Sequence, residues 1–376
     1  MIPSRFFVTC APGLEPLLHA ELRELRLARI EQQVGGVYFE GSWADALQVN
    51  LWARTAVRVL LRLARFPAAT EEELYAGVAS IDWDPYLRPD GSFVVDAHSN
   101  ASALDHTLFI EQRVKDALVD RFREAHGQRP RVDKEAPELS IHAHIYKDRC
   151  TLLVDTSGDS LHKRGYRRYQ GRAPLAETLS AALVLDSGWD QRSPLMDPFA
   201  GSGTILIEAA MLACRIAPGL LRPSFALERW KGWDARLGSK LRESARAKRI
   251  AIGKRVLLGL ETEPETVRGA QENLQALGLE SAIRFEHGRA ENWEYKRGWN
   301  AWIVTNPPYG ERIGDEEALA RTFRSLGRRW KEQCTGWHAS VLLGNPRLAA
   351  SLELRAERQR AVRNGALECE ILHYAL

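Results

Sequence analysis

The chain has 376 residues, 45% of them apolar and 27% charged, and a formal charge of only +3. That length exceeds one ordinary core, so two or three domains are expected, and no run nears the roughly 20 apolar residues that span a bilayer. Five cysteines, at 10, 150, 214, 334 and 369, are odd in number and not closely paired, which fits a reducing compartment and argues against a disulfide or zinc framework.

The start, Met1-Ile2-Pro3-Ser4-Arg5-Phe6-Phe7, lacks the charged, apolar and small-residue regions of an export signal, so a cytoplasmic protein with no membrane and no metal is expected. Residues 1–65 read as strand (Phe6 to Cys10), helix (Leu14 to Arg26), strand (Val34 to Phe39), helix (Ala44 to Leu51) and strand (Val57 to Ala64). That order suggests a small ferredoxin-like α+β subdomain. Residues 66–160 form a second α+β unit: helix Glu71 to Val78, strand Ser92 to Ala97, helix Thr107 to Glu124, and strands Ser140 to Tyr146 and Cys150 to Asp155.

From 161 to 376 strand and helix alternate, the grammar of a doubly wound parallel sheet. Helices are expected at Leu175 to Asp186, Thr204 to Ile216 and Pro264 to Leu277. Strands are expected at Leu195 to Met196, Arg255 to Leu260, Ile283 to Glu286, Trp299 to Val304 and Ala339 to Leu343, with a final pair near Leu352 to Leu354 and Leu367 to Tyr374. Residues 218–253 are too long for a connection and read as an insertion with its own helix.

Two strand ends in this third unit carry chemistry. "LMDPFAGSGTILIEAA", residues 195–210, runs from a strand through Asp197, Pro198, Phe199, Ala200, Gly201, Ser202 and Gly203 into a helix that Ser202 or Thr204 could cap. Ligands of open α/β sheets bind at such carboxyl ends. The turn is neither a full dinucleotide fingerprint nor a P-loop. Asp197 would repel phosphates and attract the ammonium or sulfonium of S-adenosylmethionine. The next strand ends at Glu261, whose two oxygens suit vicinal ribose hydroxyls.

"NPPYG", residues 306–310, follows the apolar run 301–305. Proline fixes φ and extends the residue before it, so Asn306 and the carbonyl of Pro307 are aimed without help from neighbours. Pro307 and Pro308 donate nothing, which leaves two acceptors beside the Tyr309 ring. Two acceptors match the two N–H groups of an exocyclic amine, Tyr309 could stack on its base, and positioning can supply much of the rate.

These two motifs resemble those of class I, adenosylmethionine-dependent RNA methyltransferases that carry a THUMP domain. More narrowly they are similar to the bacterial RlmL-type 23S rRNA guanine-N(2)-methyltransferases. The likeness extends through "PGLEPLLHAEL" (12–22), "RTAVRVLLRLARF" (54–66), "RVKDALVDRFRE" (113–124), "VDTSG" (154–158), "LHKRGYR" (161–167), "APLAETL" (173–179) and "NGALECEILHY" (364–374). It implies an α/β architecture: a Rossmann-like seven-stranded methyltransferase domain preceded by a ferredoxin-like subdomain and an α+β THUMP RNA-binding domain. It implies S-adenosylmethionine as methyl donor, with Asp197, Gly201 and Gly203 along its methionine part, Glu261 on its ribose, and Glu177 and Thr178 nearby. Asn306, Pro307 and Tyr309 would position the guanine. Glu261 stands where the family usually has Asp, and Arg289 where it commonly has an Asp for the adenine amine, leaving that contact to Ala290 or Glu291.

"LHKRGYRRYQGR", residues 161–172, sets Lys163, Arg164, Arg167, Arg168 and Arg172 around Tyr166 and Tyr169 with no acid. It reads as an electrostatic RNA footprint with a stacking option. RNA is therefore the expected partner, rRNA first and tRNA second. Adenine methylation in DNA and a non-catalytic assembly factor are the rivals. Carbon-5 methylation of pyrimidines would need a cysteine near the donor, and no cysteine has that setting.

Overall fold

The computed structural model describes residues 4–171, 174–309 and 315–376. In the amino-terminal half, strands β1 (Ser4–Cys10), β2 (Ala28–Gln33), β3 (Gly36–Gly41) and β4 (Ala56–Pro67) surround helices α1 (Glu15–Glu24) and α2 (Trp43–Trp52). There follow α3 (Glu71–Ala79), β5 (Ser92–Asn100), α4 (Thr107–His126), β6 (Arg131–Val132), β7 (Leu139–Tyr146) and β8 (Arg149–Asp155). Alternation decides which face is covered: Phe6, Val8 and Cys10 on β1 and Ile141, Ala143 and Ile145 on β7 are buried, while His142 and His144 between them are not. Ser42 closes a capping box with Asp45 at the start of α2.

All eight strands join one sheet in the order β2-β3-β1-β4-β8-β7-β5-β6. β4 pairs antiparallel with β1 on one side and with β8 on the other, so one strand belongs to both amino-terminal units.

The carboxyl-terminal half opens with α5 (Glu177–Asp186), β9 (Leu195–Asp197) and α6 (Thr204–Ala213). The insertion supplies α7 (Ala235–Ala247) after two short 3-10 turns. Then come β10 (Leu257–Glu261), α8 (Pro264–Gln275), β11 (Ile283–His287), β12 (Trp302–Thr305), α9 (Asp315–Gln333), β13 (His338–Leu343), α10 (Pro346–Ser351), β14 (Arg358–Asn364) and β15 (Leu367–Ala375). The sheet order is β11-β10-β9-β12-β13-β15-β14. β9 to β13 run parallel, and β15 is antiparallel to both β13 and β14. The chain winds outward from β9 to β11, then returns to the other side of β9 at β12. That reversal opens a crevice above the carboxyl ends of β9, β10 and β12.

The last strand pair departs from expectation. Residues 352–354 form no strand, and the partner of β15 is β14, whose sequence RQRAVRN buries only Val362. An edge strand needs no apolar alternation when ion pairs dock it, and here Asp186 at the end of α5 accepts from Arg358, Arg360 and, at 2.9 Å, His373. β2 escaped notice for a similar reason, being an edge strand with almost every side chain exposed.

Candidate active site

The turn after β9 is shaped by its glycines. Gly203 has φ +80° and an added Cβ would lie 2.6 Å from the Phe285 ring, so both conformation and packing demand glycine. Gly201 has φ +52° and nothing within 4 Å of where a Cβ would stand, so its open side gives a ligand close approach to the backbone.

Asp197 is fully buried at the strand end. Its Oδ1 accepts from the Thr305 hydroxyl at 2.6 Å and from the Phe199 amide at 3.1 Å. Its Oδ2 is buried with no hydrogen-bond partner among the described residues. Burial pushes its carboxyl up to about 7, against the two hydrogen bonds and with a smaller push from Glu261. Glu261 ends β10; its Oε2 accepts from the Gly201 amide at 3.0 Å, and its Oε1 accepts from the amides of Thr262 and Glu263 at 2.7 and 3.0 Å. Asp197, Phe199, Ala200, Gly201, Ser202 and Thr204 share a cavity of about 270 Å³ with Glu261 and Asn306.

This donor set suits S-adenosylmethionine. A buried carboxylate oxygen lacking a partner calls for a cation, and a second carboxylate on the next strand suits hydroxyls. Tyr169, Gln170, Gly171, Pro174 and Leu175, ahead of α5, close the far wall.

The cavity continues into a cleft of about 1020 Å³, and Asn306 lines both. Pro307, Pro308 and Tyr309 form the cleft wall beside it, facing Arg321 and Thr322 on α9. The Tyr309 hydroxyl donates to Asn306 Oδ1 at 2.5 Å, taking one of that oxygen's two lone pairs. Tyr309 packs over Gly344, where an added Cβ would come within 3.0 Å of the ring, and burial raises its phenol well above the ordinary value. Gly310 lies outside the described residues.

Other expected residues divide. Pro198 and Gly203 build the turn without lining the cavity, and Ala290 is buried beside Arg289, whose exposed guanidinium pairs with Glu291 at 2.8 Å on the cleft rim. Glu177 and Thr178 are buried at the start of α5, outside the cavity lining. Glu177 instead binds Arg167 at 3.0 Å.

Three of the five residues expected to touch RNA turn inward, which corrects that reading. Arg164 is buried, donating to Glu208 at 3.4 Å, to the Leu161 carbonyl at 2.8 Å and to the Arg54 carbonyl at 2.5 Å. Tyr166 is buried with its hydroxyl on Glu208 at 3.2 Å. Arg167 braces the glycine turn, donating to Ser202 Oγ at 3.3 Å, Thr204 Oγ1 at 3.2 Å and the Leu175 carbonyl at 3.0 Å. A local count of charges misses their counterions, Glu208 on α6 and Glu177 on α5. Lys163 and Arg168 remain at the surface, and Arg172 lies outside the described residues.

Sequence reasoning missed Asn273 on α8. Its Oδ1 accepts from the amides of Arg168 and Tyr169 at 2.6 and 2.9 Å, and its Nδ2 donates to the carbonyls of Tyr169 and Ser202 at 2.9 and 3.1 Å. Thr305, which orients Asp197, was also missed; its place directly before Asn306 at a strand end was the available signal. Among the described residues no group of three or more His, Cys, Asp or Glu could hold a metal, and no helix is long and apolar enough to cross a membrane.

A model of the RMKL-like methyltransferase domain matches residues 164–373, a THUMP domain model matches 68–155, and an RlmL ferredoxin-like domain model matches 5–60. The chain is 40% identical over 381 residues to the ribosomal RNA large subunit methyltransferase K/L of Syntrophotalea carbinolica, covering 99% of this chain and 53% of that protein. It thus spans about half the length of the curated relatives it matches. The crystal structure of SMU.472 complexed with SAH is similar with a TM-score of 0.91 at 31% identity, covering 100% of this chain and 98% of that one. A predicted N6-adenine-specific DNA methylase from Listeria monocytogenes is similar with a TM-score of 0.90 at 32% identity, covering 99% and 96%. Sequence and fold agree over almost the whole length, and the chain belongs to the RMKL-like methyltransferase family.

Proposed function

We propose that this chain transfers a methyl group from S-adenosylmethionine to the exocyclic 2-amino group of a guanosine in RNA, with 23S rRNA as the substrate. The observation that carries the reading is the place of Asn306 between the two spaces: it lines both the cavity of Asp197 and Glu261 and the open cleft. Support comes from the names of the K/L relatives, from the THUMP match and from SAH in SMU.472.

S-adenosylmethionine, when bound, supplies an electrophilic methyl on a sulfonium. Asp197 would hold the cationic end, the Gly201 backbone would lie along it, and Glu261 would accept from the ribose hydroxyls. Asn306 Oδ1 and the Pro307 carbonyl would each take one N–H of the target amine, which would free its lone pair from the plane of the base for attack on the methyl. As the new N–C bond formed, the methyl's bond to the sulfonium would break and its electron pair would stay on sulfur, leaving S-adenosylhomocysteine as a neutral thioether. The methylated amine would then shed its extra proton to water, so no strong base is needed. Positioning of this kind supplies a large part of such a barrier. The Tyr309 hydroxyl fixes the amide oxygen of Asn306 and leaves its ring on the cleft wall for the base. Residues 1–65 and 66–160 present the RNA, and 161–376 carry out the transfer.

Asn306→Ala should leave cofactor affinity, read by calorimetry, nearly intact while methyl transfer to ribosomal RNA falls by about two to three orders of magnitude, as when a positioned transition-state donor or acceptor is removed. Glu261→Ala should mainly weaken cofactor binding. Equal losses in both assays for Asn306→Ala would overturn the assignment. Mass spectrometry of the product nucleosides separates N2-methylguanosine in rRNA from the same nucleoside in tRNA and from methyladenine in DNA.

A further inference from the structure

We propose that the exposed cationic edge of α9 is a track for single-stranded RNA, holding successive phosphates on Arg321, Arg324, Arg328 and Lys331 as a base enters the cleft. The inference rests on the RNA methyltransferase reading and adds the route of the strand.

The four residues follow at intervals of three, four and three. At helical pitch they fall within an arc of about 80° and span about 15 Å of axis. All four are exposed. Arg321 has Glu317 4.0 Å away, itself 92% exposed. Arg324, Arg328 and Lys331 have no ion pair or side-chain hydrogen bond among the described residues. The opposite arc, Phe323, Leu326 and Trp330, is buried in the core and fixes the helix in rotation.

The edge is continuous with the site. Ala318, Leu319, Thr322 and Ser325 of the same helix line the cleft with Asn306 and Tyr309, and Arg321 stands at the seam where lining and cationic edge meet. Burial of Arg164, Tyr166 and Arg167 removes much of the surface that the basic segment 161–172 offers by sequence alone. A base in a duplex must first be flipped out of its stack at an energetic cost that a single strand avoids, so a single strand is the favoured occupant. Glu317 and Glu332 mark the two ends of the edge.

The test uses the full chain carrying Arg324→Gln, Arg328→Gln and Lys331→Gln. A fluorescently labelled single-stranded oligoribonucleotide containing guanosine is titrated by anisotropy over a range of salt. Each phosphate left without its cation should flatten the salt slope by about 0.7, so the slope should fall by about 2 and affinity by about a hundredfold near 0.1 M salt. Unchanged S-adenosylmethionine affinity by calorimetry shows that the triple variant is folded. A charge-matched control, Arg236→Gln, Lys240→Gln and Arg246→Gln on the exposed side of α7, should stay near the parent in both quantities. Parental affinity and slope in the α9 variant, or an equal loss in the control, overturns the track and leaves the methyltransferase reading standing. A parent chain that binds S-adenosylmethionine but no RNA sinks both.

Discussion

On the proposed reading, the single carboxylate of Asp197 links folding, cofactor binding and pH. Its folded value, raised by burial to about 7 from an ordinary 3.8, means that the folded ligand-free protein holds a proton there that the unfolded chain releases near pH 4. Its contribution to stability is therefore intact at low pH and is lost as pH climbs from about 4 to about 7. Asp197→Asn should stabilise the ligand-free protein at pH 8 by up to a few kcal/mol in urea titrations, and leave it little changed near pH 4. The cation of S-adenosylmethionine needs the ionised form, so affinity should fall about tenfold per unit below pH 7, a dependence that Asp197→Asn removes. A flat affinity profile from pH 5 to 8 in the parent chain would exclude a buried carboxylate as the cation's partner. That Asp197, Gly201, Glu261 and Asn306 would meet at one cavity was legible because each ends a strand or opens a turn in a local motif. Arg164 and Tyr166 were not, because Glu208, which pulls them inward, is more than 40 residues away in the chain.

The elements around the cavity owe their placement to side chains that never face the ligand. Asn273 bonds four backbone groups and so pins the segment 168–169 and the glycine turn to α8. Asn273→Ala should cost about 2 to 4 kcal/mol locally, seen as faster amide exchange at Arg168 and Tyr169 and weaker cofactor binding. Unaltered exchange there would show that Tyr169 on Gly269, with its hydroxyl 3.1 Å from Thr266, holds the segment unaided. Helices and central strands were readable from period and apolar runs. The failures fell on edge strands: β14 is held by Asp186 rather than by burial, and the charged pairing that positions it leaves no alternation in RQRAVRN.

Over the whole molecule the two halves are fastened by buried polar groups. Arg54, from the turn before β4, donates to the carbonyls of Ile216 and Met211 in the carboxyl-terminal half, while Glu21 of α1 accepts from the amides of Arg54 and Thr55. Arg54→Ala leaves Glu208 with less compensation and should lower stability by about 3 to 5 kcal/mol, measured by urea denaturation. A loss under about 1 kcal/mol would mean that the halves are joined without help from the Arg54 side chain. The order of the three units was legible in the sequence, but the sheet shared by the first two was not, since nothing in the run AVRVLLRLARFP says that both its edges are occupied. With β4 hydrogen-bonded on both sides, the first two units cannot part without breaking a ladder at the middle of their common sheet. The two sheets stay separate, so the distance between them is kept by buried side chains such as Arg54 on the Ile216 and Met211 carbonyls rather than by any shared ladder.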